Sequence, residues 1–387
     1  MGLQAGRGLA LVPNTLASFQ DFGIPSSNAI VDSEVMAFNV ANLTIANGTH
    51  RTLAPVLPGR ESITTPLHSF FIQHKSRNQR LMFDLGLRND PLNFPPSVSA
   101  FFADAIFSTG SFKDITELLQ DGGIPLETIN AVIWSHSHVD HIGDMSKFPH
   151  TTDLVIGPGT NNKLYPQFPD GVLQTSDFAG HNVTELNFDN TNLTFGAFKA
   201  IDYFGDASFY LLNTPGHLPG HMTALARVTP TSFILLSGDS FHHPGQLHQA
   251  FNNLLAGACR RLLRHFPCPA HLLQATKSSI STDYFWSWGT KEHDFDVVSR
   301  AESLFSVSDL PDSVYADPLT SKVSLEKVAT FDADPDFLVL AAHDQSLISS
   351  IPYFPESLND WKAKNRKQNL VWRFVDESSP AFMFNPL

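Results

Sequence analysis

The sequence predicts a layered domain of the α/β or α+β class, on two observations. Short apolar runs typical of strands are mixed with segments of helical periodicity. Four of the predicted strands also end in histidine or aspartate residues, which places a candidate site at one end of the sheets. A chain of 387 residues with 42% hydrophobic and 16% charged residues can bury a large core, although its length does not decide between one domain and two.

The individual elements are predicted from the spacing of apolar residues. A helix is expected over 112–120, because Phe112, Ile115, Leu118 and Leu119 share one face, and it should stop at the following pair of glycines. The segments 69–73 and 80–84 are expected to form a hairpin. Strands are predicted at 33–37, 69–73, 80–84, 131–134, 207–212, 232–236 and 337–342.

The domain organisation follows from where this pattern is regular. We expect an N-terminal leader over 1–30 and a single domain over 31–387. Within that domain, the irregular stretch 241–334 is interpreted as an insertion or lid beside the site. It contains the aromatic segment 284–288, which would either wall an apolar substrate pocket or, as is more common, pack into the core.

Charge and composition exclude several classes of partner. The formal net charge is −13 and no run of Lys or Arg is present, so nucleic acid is not expected as a partner. No apolar stretch approaches the roughly 20 residues that cross a bilayer, and no export signal is recognisable. We therefore expect a cytoplasmic protein without a membrane partner. Cys259 and Cys268 match no zinc or redox spacing and receive no role, and the sequence does not indicate an oligomeric state.

The strongest chemical signal is the segment His136-x-His138-x-Asp140-His141, which follows the apolar strand 131–134. Alternate residues of an extended strand point to one side, so the first two imidazoles can bind one ion. A turn directly afterwards, which Gly143 permits, lets the next two residues face a second ion. Imidazole and carboxylate together are the ligands expected for zinc or a similar divalent metal.

This segment supplies too few ligands for two complete metal sites, and the rest of the chain provides further candidates. His217 lies in the segment Thr214-Pro215-Gly216-His217-Leu218-Pro219-Gly220-His221. Like His217, Asp239 and His343 each follow a predicted strand. The second histidine of the TPGHxPGH segment, His221, is expected to have a structural role.

In these motifs the chain resembles the metallo-β-lactamase superfamily, in particular its lactonase-like branch, over roughly 70–343. The resemblance implies a four-layer αββα sandwich with two metals where the loops of the two sheets converge. It also implies that Asp84 orients the metal loop. The implied ligands are His136, His138 and His217 for metal one, Asp140, His141 and His343 for metal two, and Asp239 bridging both. Two Zn²⁺ per chain are expected, and Mn²⁺ or Fe²⁺ would also suit this ligand set.

The resemblance implies a metal-dependent hydrolase acting on a small-molecule substrate. Two divalent cations supply hydroxide at neutral pH and polarise a carbonyl, and Asp140 is placed to carry a proton to the leaving group. We expect the substrate to be a cyclic ester or amide, a lactone or lactam, of a small and fairly apolar molecule, in secondary metabolism or detoxification. Quorum-lactone hydrolases have a substrate-contacting tyrosine where this chain has His242, which is the second candidate catalytic residue. This departure argues against an acyl-homoserine lactone as substrate.

Two alternatives remain at this stage. A thioesterase related to glyoxalase II or to polyketide-releasing enzymes would use the same metals with a pocket for a pantetheine arm. A redox or non-catalytic relative, such as a flavodiiron-like module, would have a fused flavin domain or would have lost ligands. No flavin domain is recognisable in the sequence, and all seven ligand positions are retained.

Overall fold

Two β-sheets packed face to face form the centre of the protein. The structure is a computed structural model that describes residues 19–26, 33–247, 303–371, 373–376 and 378–383. Its strands are β1 Ser33–Ile45, β2 Leu53–Ala54, β3 Ile63–His74, β4 Gln79–Phe83, β5 Phe107–Thr109, β6 Ala131–Ile133, β7 Asp153–Ile156, β8 Leu164–Tyr165, β9 Leu173–Gln174, β10 Val183–Glu185, β11 Thr194–Phe195, β12 Phe198–Asp202, β13 Phe209–Asn213, β14 Met222–Thr229, β15 Ser232–Leu236, β16 Ser306–Val307 and β17 Phe337–Leu340. Its α-helices are α1 Thr49–Thr52, α2 Pro96–Ala103, α3 Ile115–Asp121, α4 Val139–Ile142, α5 Pro318–Ala333 and α6 Arg366–Leu370.

The first sheet has seven strands in the order β10-β7-β6-β4-β3-β1-β5, and the second has six in the order β11-β12-β13-β14-β15-β17. In the first sheet, β4, β6 and β7 run parallel to one another. In the second sheet, β13 and β15 are both antiparallel to β14, and β17 is parallel to β15. Consequently the C-terminal ends of β4 and β6 lie at one edge of the first sheet, and those of β13, β15 and β17 lie at one edge of the second.

Side-chain alternation along the strands produces three buried layers. Between the sheets, Phe70 and Ile133 pack in one cluster with residues of the second sheet such as Leu236. Phe71, one position after Phe70, points to the opposite face of the first sheet and packs in a cluster that includes Leu119 of α3. On the far side of the second sheet, a third cluster includes residues of β15, β17 and α5. The four-layer αββα sandwich implied by the sequence resemblance is therefore confirmed.

Local sequence signals explain where the main helices begin. Asp114 accepts hydrogen bonds from the backbone N–H groups of Thr116 and Glu117, and the Glu117 carboxylate accepts from the Asp114 N–H in return. This capping box fixes the first turn of α3. In α5, Pro318 occupies the first turn and Asp317 accepts from the Thr320 N–H.

The predicted elements are found within the described residues. The hairpin is formed by β3 and β4, with Phe70 opposite Phe83. The helix predicted over 112–120 is α3, which begins three residues later, at Ile115 after its N-cap Asp114, and ends at Asp121. The other predicted strands correspond to β1, β6, β13, β15 and β17. The structure adds that β1 continues to Ile45 and pairs with β3 along its length.

The predictions about the leader and the lid fall largely outside the described residues. Residues 248–302, which include the aromatic segment 284–288 and both cysteines, are not described. The described residues of the predicted leader form a short 3-10 helix, Phe19–Phe22, whose aromatic rings contact Phe233, Phe331 and Phe337. Among the helices that the structure describes, none combines the length and apolar character needed to cross a membrane.

Candidate metal centre

The candidate ligands lie at the facing edges of the two sheets. His136, His138, Asp140 and His141 follow β6, the last three of them at the N-cap and within the short helix α4. His217, Asp239 and His343 follow β13, β15 and β17. Because these strands end at one edge of each sheet, the structure brings all seven residues together.

The first cluster consists of three imidazoles and one carboxylate. The Nε2 atom of His217 lies 3.1 Å from His136 Nε2 and 3.0 Å from His138 Nδ1, and the latter two atoms are 2.9 Å apart. Asp239 Oδ2 lies 3.3 Å from His217 Nε2. A neutral imidazole has only one N–H, so a three-way contact of ring nitrogens suits a shared cation better than mutual hydrogen bonds. These four residues could hold one metal ion.

The second cluster contains Asp140, His141 and His343. The Nε2 atoms of the two histidines are 3.2 Å apart, and His343 Nε2 lies 3.4 Å from Asp140 Oδ2. Asp239 lies between the clusters, because its Oδ1 is 3.1 Å from His141 Nε2 and its Oδ2 is 3.2 Å from His343 Nε2. This position suits a carboxylate that bridges two metal ions.

The electrostatics of the two clusters differ in a way that fits this interpretation. Burial and the neighbouring imidazoles hold the pKa of His136 well below its usual range, and burial lowers the pKa of His138 to about 4. Burial also lowers the pKa of His141, but the carboxylates of Asp239 and Asp84 outweigh it and raise this pKa well above the usual range. The imidazoles of His136 and His138 in the first cluster are therefore neutral, as metal ligands must be, whereas His141 in the second lies beside two buried carboxylates, Asp84 and Asp239, which require a positive charge nearby.

Asp84 organises the loop that carries the first four ligands. Its Oδ1 accepts a hydrogen bond of 2.6 Å from the Ser135 N–H, and its Oδ2 accepts from the Ser135 hydroxyl at 2.8 Å and from His141 Nδ1 at 2.9 Å. The Ser135 Oγ in turn accepts from His136 Nδ1 at 3.0 Å. With Nδ1 protonated in both histidines, each presents the lone pair of Nε2 to the cluster.

His343 is oriented in the same way by a backbone group. Its Nδ1 donates to the Pro66 carbonyl at 3.1 Å, so its Nε2 lone pair also faces the cluster. Three of the imidazoles are thus fixed in the tautomer that metal coordination requires.

Replacing Asp84 with Asn is expected to weaken metal binding about 10- to 100-fold without unfolding the protein. An amide cannot accept from all three donors, so His141 and Ser135 lose their fixed orientation. The backbone φ of Asp84 is +60°, a conformation that Asn tolerates well. Metal content after titration with a competing chelator measures the effect.

The matched control is Asp206→Asn, which removes another carboxylate that contacts a buried imidazole, His74, at 2.8 Å. Asp206 precedes β13 and therefore lies at the opposite edge of the second sheet. Equal metal affinities in the wild type and the Asp84→Asn variant would contradict the role assigned to Asp84.

His221 joins the loop that carries His217 to the loop that carries Asp239 through hydrogen bonds to the backbone. Its Nδ1 donates to the Thr214 carbonyl at 2.7 Å, and its Nε2 accepts from the Asp239 N–H at 3.1 Å. Both ring nitrogens are thus occupied by backbone groups. Gly238, with φ +53°, lets the Asp239 loop approach closely, because a Cβ there would lie 2.9 Å from Ser135 Cβ and 3.0 Å from His221 Nε2.

His242 also lies at the centre, with its Nε2 3.3 Å from Asp239 Oδ2 and its ring stacked on that of His343 at 5.2 Å. Its Nδ1 lies 2.7 Å from the hydroxyl of Tyr315, which also contacts Gln246. Tyr315 and Gln246 were not predicted from the sequence. No periodic or motif signal marks either residue, and both fall within the stretch interpreted as irregular.

A cavity of about 200 Å³ opens onto the second cluster. Its polar lining residues include Asp140, Asp239, His242 and His343, together with His138 of the first cluster. Its described walls are almost wholly apolar: Leu43, Ile45, Ile63, Val98, Phe101, Phe107, Val139, Val172 and Val314. The rings of Phe101 and Phe107 are stacked with centroids 5.1 Å apart.

An αββα sandwich with two clusters of His and Asp at its sheet edges defines a class of protein with a candidate dinuclear metal centre. The family model of the metallo-β-lactamase superfamily matches residues 67–316. The chain belongs to this superfamily, as the sequence resemblance implied.

Several curated proteins are similar to this chain. The metallo-hydrolase mfmC of Annulohypoxylon moriforme is 36% identical over 93% of this chain and 90% of its own length. The gamma-lactamase FDB1 of Fusarium pseudograminearum (strain CS3096) is 29% identical over 92% of this chain and 84% of its own length. The cytochrome P450 monooxygenase mpaDE of Penicillium roqueforti (strain FM164) is 35% identical over 84% of this chain, but the chain spans only 35% of the length of that relative.

Solved structures share the fold. The structure of a B. thuringiensis AiiA mutant with N-decanoyl-L-homoserine bound at the active site matches with a TM-score of 0.51 and 13% identity, over 85% of this chain and 100% of that chain. An N-acyl homoserine lactone hydrolase with N-hexanoyl-L-homoserine bound at its metal centre matches with the same TM-score, identity and coverage. At this identity the likeness supports the fold alone.

Proposed function

We propose that this protein is a metal-dependent hydrolase that opens the ring of a small, fairly apolar lactone or lactam. The observation that carries the proposal is that the candidate ligands Asp140, Asp239 and His343 line the apolar cavity. Two relatives that this chain matches over most of their length are named a metallo-hydrolase and a gamma-lactamase, and these names support metal-dependent hydrolysis as the reaction type.

The metal ligands that we propose are His136, His138 and His217 for one ion, Asp140, His141 and His343 for the other, and Asp239 for both. The imidazole and carboxylate donors suit Zn²⁺, with Mn²⁺ or Fe²⁺ as alternatives. Two divalent cations bound there would supply hydroxide at neutral pH and polarise the substrate carbonyl.

The protein itself contributes positioning and proton transfer. The walls of the cavity hold the apolar part of the substrate and exclude water from it. The Asp140 side chain is 15% exposed and lines the cavity, where it would hold a proton and pass it to the leaving oxygen or nitrogen. His242 lines the same cavity and is the second residue placed to contact the substrate.

The lining of the cavity favours a neutral substrate over a pantetheine thioester. Among its described residues there is no Lys or Arg to pair with the phosphate of a coenzyme A or carrier arm. Phe101 and Phe107, which line the cavity and stack on each other, offer it an apolar aromatic surface that suits a ring or a short acyl group.

A hydrolysis screen tests the proposal. Purified protein loaded with Zn²⁺ or Mn²⁺ is offered uncharged apolar lactones and lactams, their carboxylated analogues, and acyl thioesters. We expect turnover of the uncharged rings and little turnover of the other two groups. Turnover of thioesters alone would replace this proposal with a thioesterase.

A substitution in the wall of the cavity tests whether the substrate binds there. Phe101→Ala should raise KM for the uncharged rings roughly tenfold, because about 1.4 kcal/mol of apolar contact is lost. The control, Leu319→Ala, removes an apolar side chain that is 76% exposed on α5 and does not line the cavity. An unchanged KM in Phe101→Ala would show that the substrate binds elsewhere.

A further inference from the structure

The tautomer of His242 is determined by a chain of hydrogen bonds that begins at Gln246. The Oε1 atom of Gln246 accepts from the backbone N–H groups of His242 at 2.7 Å and His243 at 3.1 Å. Its Nε2 donates to the backbone carbonyls of Thr52 at 3.2 Å and Ser306 at 3.3 Å. Two donors on one side and two acceptors on the other fix the orientation of the amide.

The fixed amide determines the direction of the next hydrogen bond. Gln246 Nε2 also lies 3.4 Å from the hydroxyl oxygen of Tyr315; an amide nitrogen cannot accept a hydrogen bond, so this hydroxyl can only accept from it, through an N–H that is shared with one of the two carbonyls. Tyr315 is 3% exposed, so its hydroxyl proton must also find a partner inside the protein. Among the described residues, the acceptor within hydrogen-bond distance is His242 Nδ1, at 2.7 Å.

The Tyr315 hydroxyl therefore donates to His242 Nδ1, and the proton of the neutral imidazole lies on Nε2. That atom lies 3.3 Å from Asp239 Oδ2. His242 also lines the cavity beside Asp140 and His343. An Nε2–H group there lies beside Asp239 and within reach of a molecule bound in the cavity.

We propose that Tyr315 is a positioning residue that holds His242 as the Nε2–H tautomer, so that His242 donates a hydrogen bond to the carbonyl oxygen of the substrate instead of binding a metal. The part concerning the substrate rests on the proposed hydrolase function. The assignment of the tautomer does not.

Metal binding by His242 is the alternative that the geometry also allows. Ligand atoms of Asp239, His242 and His343 lie within 4.8 Å of one another, close enough to share an ion. Coordination through Nε2 would move the ring proton to Nδ1 and leave the Tyr315 hydroxyl without its acceptor. An unsatisfied buried hydroxyl is costly, which favours the donor role.

A direct measurement of the tautomer tests the inference without any substrate. The metal-loaded protein is labelled with ¹⁵N-histidine, and the His242 signals are assigned by comparison with His242→Gln. We expect Nε2 to carry the proton and Nδ1 to show the shift of a hydrogen-bonded acceptor, and Tyr315→Phe should change the Nδ1 shift. Metal content should stay at the wild-type value in both variants. Protonated Nδ1, or the loss of one metal per chain in His242→Gln, would overturn the proposal.

Kinetics on any substrate found by the screen tests the second part. The amide nitrogen of Gln can replace the Nε2–H donor, whereas that of Asn corresponds to Nδ1. We therefore expect His242→Gln to retain most of kcat and His242→Asn to lose about 10²- to 10³-fold, as for other donors to a developing oxyanion. Tyr315→Phe should lower kcat more than it changes KM. Equal activities of the Gln and Asn variants would remove the donor role, while failure of the screen would leave the tautomer result intact.

Discussion

Replacing Asp239 with Asn should remove the capacity to retain two metal ions and lower hydrolysis by at least about 10³-fold. The Asp239 side chain is 2% exposed, and five imidazoles lie within 3.6 Å of its oxygens. Burial raises the pKa of Asp239, but the surrounding imidazoles, above all His141, outweigh it and hold this pKa well below its usual range. The amide of Asn has nearly the same shape but no charge, so it cannot bridge two cations.

Metal analysis by mass spectrometry, together with the thermal midpoint of the metal-free protein, separates this effect from misfolding. The control is Asp309→Asn, which removes a carboxylate that is 70% exposed and contacts Lys322. It should retain both metals and full activity. An Asp239→Asn protein that holds two metals as tightly as the wild type would show that this carboxylate does not bridge them.

Part of the fold was predictable because several strands of the sandwich core carry their own signal, although β14, in the middle of the second sheet, was not predicted. The run 232–236 coincides with β15, and the hairpin of β3 and β4 was recognisable from two short apolar runs with a polar turn. The order of the strands was not predictable in this way. The pairing of β1 with both β3 and β5 depends on contacts between segments far apart in the chain, which periodicity does not encode.

The candidate site was predictable for a related reason. Its ligands follow strands, and strands ending at one edge bring their following residues together. Tyr315 and Gln246 are different, because their importance comes from hydrogen bonds to His242 and not from a pattern in the chain. The apolar cavity was equally hidden, because its lining comes from separate parts of the chain, such as Leu43, Val172 and Val314. The position of the proton on an imidazole, such as that of His242, can be assigned only when the hydrogen-bond partners of both ring nitrogens are known, and the sequence does not give them.

Asp140→Asn should lower kcat about 10²- to 10⁴-fold while KM and the metal at the first cluster stay close to the wild-type values. Among the described residues, the contact of the Asp140 carboxylate is with His343 Nε2 at 3.4 Å, so it remains available to the cavity. A proton carrier matters most when the leaving group is strongly basic. The loss should therefore be large for lactams and alkyl lactones and smaller for lactones that release a phenol.

This dependence on the leaving group distinguishes proton transfer from metal binding, because Asp140 is also proposed as a ligand. Loss of a ligand would lower the rate for every substrate to a similar extent, and it would appear as reduced metal content at the second cluster. The matched variant His343→Asn removes a neighbouring ligand of the same ion without a carboxylate and should show that uniform loss. If Asp140→Asn shows the same uniform pattern, Asp140 binds metal and carries no proton. A loss that increases with the basicity of the leaving group, with metal retained, assigns the proton transfer to Asp140.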